Sequence, residues 1–471
     1  MRGRVLAVAL ALLLQTGLTA AARAQAPNCQ SLLPPGLSFP TVSSTLPYDA
    51  TFSAGKSPNT SVSPVQQAFD IFSWASFVAL NWPSNPDGTP MGGPITSNPT
   101  APRVWEAYIE ATGVYKENGV PPDPWGGTNT FLASVVPNYK RGQKVLLASS
   151  KNELSDIFQA SFGVVAKFPW IADVNGNYVF YEIHLNKPDY EYVVCPMQPS
   201  QPCPDPSINL YSQDGQTKFL SAVPTPAINF PQGSTKTNSY GAMEVKAAWK
   251  EIGAGDDATK FYTVQATKID PHTDQPSANP VQFGLVGLHI VTRTINGPDW
   301  VWSTFEHIAN APDVGATTLA SHYNFNIPTN DQPTVGYVNR PSVPQPPQMP
   351  PAAPLTPTQI TRVVNNSLIN DPWTQCLNAT MQTELAGTVW ANYRLVTTQW
   401  LSSTGFTPTV VSNTTMETYV QNGISCMSCH TAAKTAGMAP NGSPVSANFS
   451  YLIMTAQPTS GARAMLRFQR K

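Results

Sequence analysis

The sequence predicts an α+β protein: a β-rich antiparallel main domain with flanking helices, followed by a small, mainly α C-terminal region. Three observations favour this class. Apolar residues recur at helical spacing near the N-terminus, strand-like runs separated by turn residues extend from about 130 to 310, and helical patterns return after a proline-rich segment. The composition agrees, because 47 prolines and only 12% charged residues are typical of a loop-rich exported protein.

The first predicted element is a buried helix that follows an irregular arm, residues 25–62. Ser63 is a good N-cap, and Pro64 suits the first position of a helix. Apolar residues then recur every three or four positions until Pro83, which ends the helix. A second, shorter helix is predicted over residues 103–110.

The middle of the chain predicts an antiparallel sheet. Residues 144–148 and 261–268 are short strand-like runs, and an Asn-Gly turn before Tyr178 predicts a hairpin between residues 169–172 and 178–185. The clearest pair of strands is residues 283–294 with residues 300–307. The N-terminal helix is expected to pack against this sheet.

A proline-rich segment divides the main region from the C-terminal region. Eight prolines fall between Pro341 and Pro357, which favours an extended linker, or else a long arm packed on one compact body. Helices are predicted beyond it over residues 356–368 and 414–421. The predicted organisation is a signal peptide (1–24), a β-rich domain with its N-terminal helix (25–327), a proline-rich linker (328–357) and a C-terminal region (358–471) that contains Cys426 and His430.

The N-terminus has the pattern of a secretory signal. Arg2 and Arg4 precede an apolar run over residues 5–14, and Ala22-Arg23-Ala24 is a small-x-small cleavage site that predicts a mature chain beginning at Gln25. The apolar run is too short to span a membrane, and no later stretch is long enough either. The sequence therefore predicts a periplasmic or secreted protein with no membrane span in the mature chain.

Charge argues against a nucleic-acid partner. Cleavage would remove three arginines, which leaves 24 of the 27 basic residues against 28 acidic ones, a formal charge of −4. A chain of this length that is so close to neutral gives no indication of binding to nucleic acid or to anionic lipid.

Cys426-Met427-Ser428-Cys429-His430 is the motif that carries chemistry. Two cysteines separated by two residues and followed by histidine form the attachment pattern of a c-type haem. The two thiols bond to the vinyl groups of one haem, and His430 becomes an axial ligand of the iron. The alternatives are a redox disulfide and half of a zinc site, although no further Cys or His follows His430 to complete a zinc site.

The other four cysteines predict two disulfide bonds in an oxidising compartment. Cys195 and Cys203 flank a short proline-bounded loop and form the simplest pair. Cys29 and Cys376 then pair by elimination.

The sixth iron ligand decides between electron transfer and catalysis, because an open iron site binds small ligands. Met438 and Met454 follow the motif, and each is a candidate for this ligand.

A second set of polar residues lies on predicted strands and could form a pocket in the β-rich domain. Glu244 and Lys246 are expected on opposite faces of one strand, and His289 and His307 on the two strands of the clearest pair. Such histidines are more often structural. The candidate pocket comprises Glu244, Lys246, His289, Glu306 and His307.

Several segments resemble a group of large, exported, single-haem bacterial proteins of the cytochrome c family. These are Thr414–His430, Phe449–Leu452, Met243–Trp249 and Trp302–His307. The resemblance implies one covalent haem c on Cys426 and Cys429 with His430 as axial ligand. It implies no reaction.

Two functions therefore follow from the sequence. The first is electron transfer to or from a redox partner protein or a small molecule. The alternative is a haem-dependent periplasmic oxidoreductase, similar to a peroxidase or a dehydrogenase, with a substrate pocket in the β-rich domain. A haem-based sensor is a third and weaker reading.

Overall fold

The computed structural model confirms an α+β protein built on an antiparallel sheet of nine strands. It describes residues 29–52, 62–147, 170–197, 203–234, 236–237, 239–297, 299–316, 318–329, 352–363, 371–421 and 425–459. The predicted signal peptide lies outside these residues. No helix within these ranges is long and apolar enough to cross a membrane.

Six helices and nine strands make up the regular structure of the described chain. The helices are α1 (Pro64–Leu80), α2 (Thr130–Val135), α3 (Lys187–Val194), α4 (Gln213–Ala222), α5 (Pro372–Glu384) and α6 (Cys426–His430). The strands are β1 (Ile109–Glu110), β2 (Lys144–Leu146), β3 (Val179–Leu185), β4 (Met243–Glu251), β5 (Thr263–Lys268), β6 (Val281–Arg293), β7 (Trp300–His307), β8 (Tyr393–Ser402) and β9 (Gly405–Thr407).

The main path through the sheet runs in the order β1-β3-β4-β6-β7-β8-β9, with antiparallel neighbours. β5 pairs with β6, and β2 runs parallel to β5. Side chains alternate between the two faces of each strand. We call the face that carries Val245, Leu288 and Phe305 the α1 face, and the face that carries Lys246, His289 and Trp302 the motif face.

Helix α1 packs on the α1 face, as the sequence predicts. The Ser63 hydroxyl accepts a hydrogen bond from the backbone N–H of Gln66, which caps the helix at 3.1 Å. Trp74 and Phe77 are fully buried, and their ring centroids lie 5.1 and 4.3 Å from that of Phe305 on β7. Aromatic contacts of this kind fix the position of the helix on the sheet.

Most predicted strands are confirmed, with small changes in their ends, but residues 170–172 form no strand and meet Tyr178 only through a single bridge at Ala172. β6 and β7 pair in register. Gly176, at φ +78°, lies in the turn that is closed by the bridge between Ala172 and Tyr178. The helix predicted over residues 103–110 is instead a 3₁₀ turn, Val104–Ala107, followed by β1. The reason is that Glu110 and Ile109 pair with β3, so the backbone hydrogen bonds are made to the sheet.

Two further helix predictions are wrong where the structure describes them. Residues 356–363 form no helix, because backbone groups of Thr358 and Ile360 bond to distant segments instead. Residues 414–421 contain only a 3₁₀ turn, Thr418–Val420, since the hydroxyl and N–H of Thr414 bond to Glu306. Local patterning was overridden in both places by tertiary hydrogen bonds.

The region after the proline-rich segment contributes to the same sheet. β8 pairs with β7 over six residue pairs, and the buried side of α5 meets β8 and α1. Two strands, β8 and β9, therefore form in a region for which the sequence predicted helices. Most of the linker, residues 330–351, lies outside the described residues.

Both predicted disulfide bonds are present. Cys195 pairs with Cys203 across eight residues, and Cys29 pairs with Cys376 across 347 residues. The second bond joins the N-terminal arm to α5, whose Trp373 ring stacks on Phe39 of the same arm.

Candidate haem attachment site

Helix α6 is a single capped turn that contains the whole motif. Ser425 is its N-cap: the Ser425 hydroxyl accepts from the N–H of Ser428 at 3.3 Å, and the Ser428 hydroxyl accepts from the N–H of Ser425 at 3.0 Å. This reciprocal pair satisfies two N–H groups that a short helix would leave open. Cys426 and Cys429 lie one turn apart, and both are free thiols. Burial raises the pKa of each, so both stay protonated at neutral pH.

The motif is held against the sheet by polar and apolar contacts. The backbone N–H of Met427 donates to the side-chain oxygen of Gln399 on β8 at 2.7 Å. Cys426 and Met427 are buried in an apolar cluster that includes Trp302 and Leu452. A helix of only five residues gains little stability by itself, so these contacts determine where the motif lies.

His430 has one ring nitrogen bonded and is held between two aromatic rings. Its Nδ1 lies 2.7 Å from the carbonyl oxygen of Phe449, which can only accept, so Nδ1 carries the proton. The ring centroids of Trp302 and Tyr451 lie 4.4 and 4.9 Å away. The Tyr451 hydroxyl in turn donates to the carbonyl of Cys429 at 2.9 Å.

These contacts leave His430 in the state that a metal ligand requires. Burial lowers the pKa of His430 to about 4, so the imidazole is neutral at pH 7. With the proton on Nδ1, Nε2 holds the lone pair. An outer hydrogen bond from the other ring nitrogen to a carbonyl is the usual arrangement of a ligating histidine.

The residues of the motif therefore fit a covalent haem. Two free thiols one helical turn apart and a neutral imidazole with an available Nε2 are the groups that haem c uses. Among the described residues, no group of three or more His, Cys, Asp or Glu side chains could hold a metal ion. The prediction of haem c thus depends on the thiols and His430, not on a cluster of protein ligands.

The two candidate methionines have different surroundings. Met438 is 41% exposed in a turn, and its backbone N–H donates to Thr217 on α4. Met454 is half-buried in the 3₁₀ turn Tyr451–Thr455, next to the buried Ile453. Both remain predictions for the sixth ligand.

The strand register corrects one expectation about the candidate pocket. Glu244 and Lys246 are two residues apart on β4, so they share the motif face rather than pointing to opposite faces. Lys246 lies directly across from His289 on β6, and His289 lies across from Thr304 on β7. Glu306 is also on the motif face, because it pairs with Gly287, whereas His307 is on the α1 face.

Lys246 and His289 both interact electrostatically with a residue that the sequence did not single out, Glu417. The Nε2 atom of His289 lies 3.7 Å from the carboxylate of Glu417, and Nζ of Lys246 lies 5.3 Å from the centre of the Tyr181 ring. We call Lys246, His289 and Glu417 the Lys246 cluster. Glu417 directly precedes the 3₁₀ turn Thr418–Val420. No regular spacing in the sequence relates it to β4 or β6.

The Lys246 cluster is held in unusual protonation states by burial. Burial lowers the pKa of Lys246 to about 8, an effect that Glu417 partly offsets. Burial and then the charge of Lys246 lower the pKa of His289 well below its usual value. Burial raises the pKa of Glu417 to about 7, against a hydrogen bond from the N–H of Asn413. Groups perturbed in this way are common in functional sites.

Glu306 and His307 are held by other groups. Glu306 forms ion pairs with Arg362 and Arg394, which outweigh burial and lower its pKa. The Nε2 atom of His307 donates to the carbonyl of Lys260 at 3.1 Å, and its ring stacks on Phe261 at 4.2 Å. Both side chains are satisfied, as expected of structural residues.

Glu244 is separate from the Lys246 cluster and faces the segment that bonds His430. The Ser450 hydroxyl donates to its carboxylate at 2.5 Å. Burial raises the pKa of Glu244 to about 7 and that of Asp189, a carboxyl that interacts with it, well above its usual value. Within the described residues, the Asp189 carboxylate and the Tyr115 hydroxyl beside it have no hydrogen-bond partner.

The fold and site define an α+β protein with a one-turn thiol-and-histidine motif docked on a sheet. Comparison with protein-family models finds no match, and neither the curated proteins nor the solved structures contain a significant match. What the site does is therefore argued from its own residues.

Proposed function

We propose that this protein is an exported c-type cytochrome that binds one haem covalently through Cys426 and Cys429 and transfers electrons. The observation that carries the proposal is the state of His430, whose Nδ1 proton is bonded to the carbonyl of Phe449 beside two free thiols. That arrangement leaves Nε2 available as an axial ligand.

The bound haem would supply a one-electron change at its iron. The chain's own residues would hold and shield it. The two thiols would fix the ring, and His430 would bind from one side. Trp302 and Tyr451 flank the imidazole and would help to hold its ring in place. The proposed partner is a redox protein or a small electron donor or acceptor, outside the cytoplasm.

A haem-dependent oxidoreductase is the second candidate, and the Lys246 cluster favours it. Within the described chain, the buried Nε2 of His289 has no hydrogen-bond partner, and an unpaired buried nitrogen is costly unless a ligand uses it. The candidate pocket would then contain Lys246, His289 and Glu417, with Glu244 nearby and without Glu306 and His307.

The first experiment is mass spectrometry and visible spectroscopy of the protein exported by a host that attaches haem. We expect a mass greater by one haem and an N-terminus at Gln25. Replacement of both Cys426 and Cys429 by Ser should remove the covalent haem, and His430→Ala should abolish the low-spin reduced spectrum. His272→Ala is the matched control and should change neither. An exported protein without covalent haem would contradict the proposal.

Carbon monoxide separates the two candidate functions. A reduced spectrum that carbon monoxide leaves unchanged indicates a six-coordinate electron carrier, and Met438→Ala and Met454→Ala then identify the sixth ligand. An immediate shift indicates an open iron and supports the oxidoreductase.

A further inference from the structure

Residues 448–450 form a short segment between the motif face and His430. Asn448 and Phe449 have φ values of +48° and +68°. Two consecutive non-glycine residues in the left-handed region are uncommon, and each is costly unless its surroundings impose it. The carbonyl that accepts the His430 proton belongs to the second of these residues, Phe449. The strained backbone thus lies at the point that orients the imidazole.

Side chains of two strands hold this segment on both sides of Phe449. On one side, the indole N–H of Trp300 on β7 donates to the carbonyl of Asn448 at 2.8 Å. On the other, the hydroxyl of Ser450 donates to the carboxylate of Glu244 on β4 at 2.5 Å. Ser450 is 3% exposed, so water cannot easily replace this bond.

We propose that Glu244 is a positioning residue for His430. By accepting the hydrogen bond of Ser450, it fixes the backbone that presents the Phe449 carbonyl to Nδ1, and so fixes the tautomer and the ring orientation of the imidazole. The consequence for the iron rests on the proposed function, whereas the consequence for His430 itself does not.

The chemistry of the contact requires an acceptor at residue 244, not a charge. A carboxylate, a carboxylic acid and an amide each present a carbonyl-type oxygen to the Ser450 hydroxyl. Glu244→Gln should therefore keep the position of the segment, and Glu244→Leu should release it. Ser450→Ala removes the same hydrogen bond from the other partner and leaves Glu244 in place.

The test measures solvent exchange of the Nδ1 proton of His430 by NMR in the full-length exported protein with ¹⁵N-labelled histidine. The chain has only six histidines, and His430→Ala assigns the signal. We expect exchange to be about tenfold faster in Ser450→Ala and in Glu244→Leu, the factor that the loss of one net hydrogen bond implies. Glu244→Gln should stay within about twofold of the parent. Ser443→Ala, an exposed serine in the same loop, is the control.

A second readout is the reduction potential of the haem-loaded variants, because the outer partner of a ligating histidine tunes its metal. Ser450→Ala and Glu244→Leu should shift this potential in the same direction, and Glu244→Gln should not.

Two results would overturn the inference. The first is unchanged exchange in Ser450→Ala, which decides the matter even where Glu244→Leu fails to fold. The second is exchange in Glu244→Gln as fast as in Glu244→Leu, which would assign the effect to charge. Mass spectrometry of the same samples reports separately on covalent haem. Absence of haem would refute the proposed function and leave the exchange measurement on His430 decisive for the inference.

Discussion

At the scale of single residues, the motif face brings buried and half-buried ionisable groups close together. His289 and Glu417 are 3.7 Å apart, beyond hydrogen-bond distance, and Lys246 lies across the strand from His289. A buried ionisable group costs free energy unless it is fully paired or neutral, and the lowered pKa of His289 keeps its imidazole neutral. Glu306, on the same face, differs from these groups because its carboxylate forms ion pairs with both Arg362 and Arg394.

The pKa of Glu417 predicts a pH dependence of stability. Its value in the folded protein, about 7, is above its ordinary value of 4.5, so the folded state keeps a proton that the unfolded state releases. This contribution to stability is fully present below pH 4.5 and is lost as the pH rises through 7. As the pH rises from 5 to 8, the free energy of unfolding of Glu417→Gln should therefore increase relative to that of the parent by on the order of 2 kcal/mol.

Urea unfolding at pH 5 and pH 8 would measure this gain. Glu384→Gln, at the exposed end of α5, is the matched control and should show the same pH dependence as the parent. Equal pH slopes for Glu417→Gln and the parent would contradict the raised pKa. Lys246, whose pKa is lowered to about 8, begins to lose its proton within this window, so the pH slope of Glu417→Gln is compared with that of the parent and not with zero.

His307 and His289 should respond differently to the same substitution. His307→Leu loses two hydrogen bonds and a ring stack, so we expect the free energy of unfolding to fall by about 2–3 kcal/mol. His289→Leu should change it by less than about 1 kcal/mol, because its buried Nε2 has no partner among the described residues. Chemical denaturation measures both, and the haem spectrum of His307→Leu should equal that of the parent. A larger loss of unfolding free energy for His289→Leu than for His307→Leu would contradict this prediction and make His289 the more important structural residue.

At the scale of elements, the N-terminal arm and α5 are tied together by the Cys29–Cys376 bond. The two ends of this bond are far apart in the chain, whereas Cys195 and Cys203 enclose only a short loop after α3. A crosslink that encloses a longer loop removes more entropy from the unfolded chain. The two bonds should therefore contribute unequally to stability.

Removal of each disulfide by double alanine substitution tests this difference. The chain-entropy estimate is about 6 kcal/mol for Cys29–Cys376 and about 2.5 kcal/mol for Cys195–Cys203. We expect the long-range variant to unfold at clearly lower urea concentration. Equal losses for the two variants would show that the arm remains associated with α5 in the unfolded state.

At the scale of the whole molecule, the sheet joins the regions on either side of the proline-rich segment. β8 pairs with β7 and then leads toward the motif, and α1 packs against both strands. Gln399 of β8 also accepts the hydrogen bond of Met427. The motif therefore depends on a strand whose partner lies on the other side of the linker.

This dependence predicts that residues 358–471 do not fold alone. Without β7, β8 would keep only the three-residue β9 as a partner among the described strands, and a two-stranded hairpin is at best marginally stable. We expect the isolated fragment to be protease-sensitive and to show no cooperative thermal transition by circular dichroism, whereas the full-length protein should show one. A cooperative transition in the fragment would establish an independent haem domain.

The sequence by itself determined the elements whose signals are local. Ser63 and Pro64 mark the start of α1, an Asn-Gly pair marks the turn before β3, and strand-like runs separated by turn residues identify β6 and β7. The motif Cys426–His430 is also local, because its five residues are consecutive, and the haem that it predicts is part of the proposed function. Cysteine counting also gave both disulfide pairs, since only four thiols remained to be paired.

Only the tertiary structure decided which distant residues meet. The structure brings Glu417 to His289, Ser450 to Glu244 and Phe449 to His430. These contacts depend on the pairing of β4 with β6 and on the docking of α6 on β8. The helix patterns at residues 356–363 and 414–421 failed for the same reason, because their backbone groups found partners far away in the chain. Contacts of this kind depend on strand register and loop path, which no short stretch of sequence encodes.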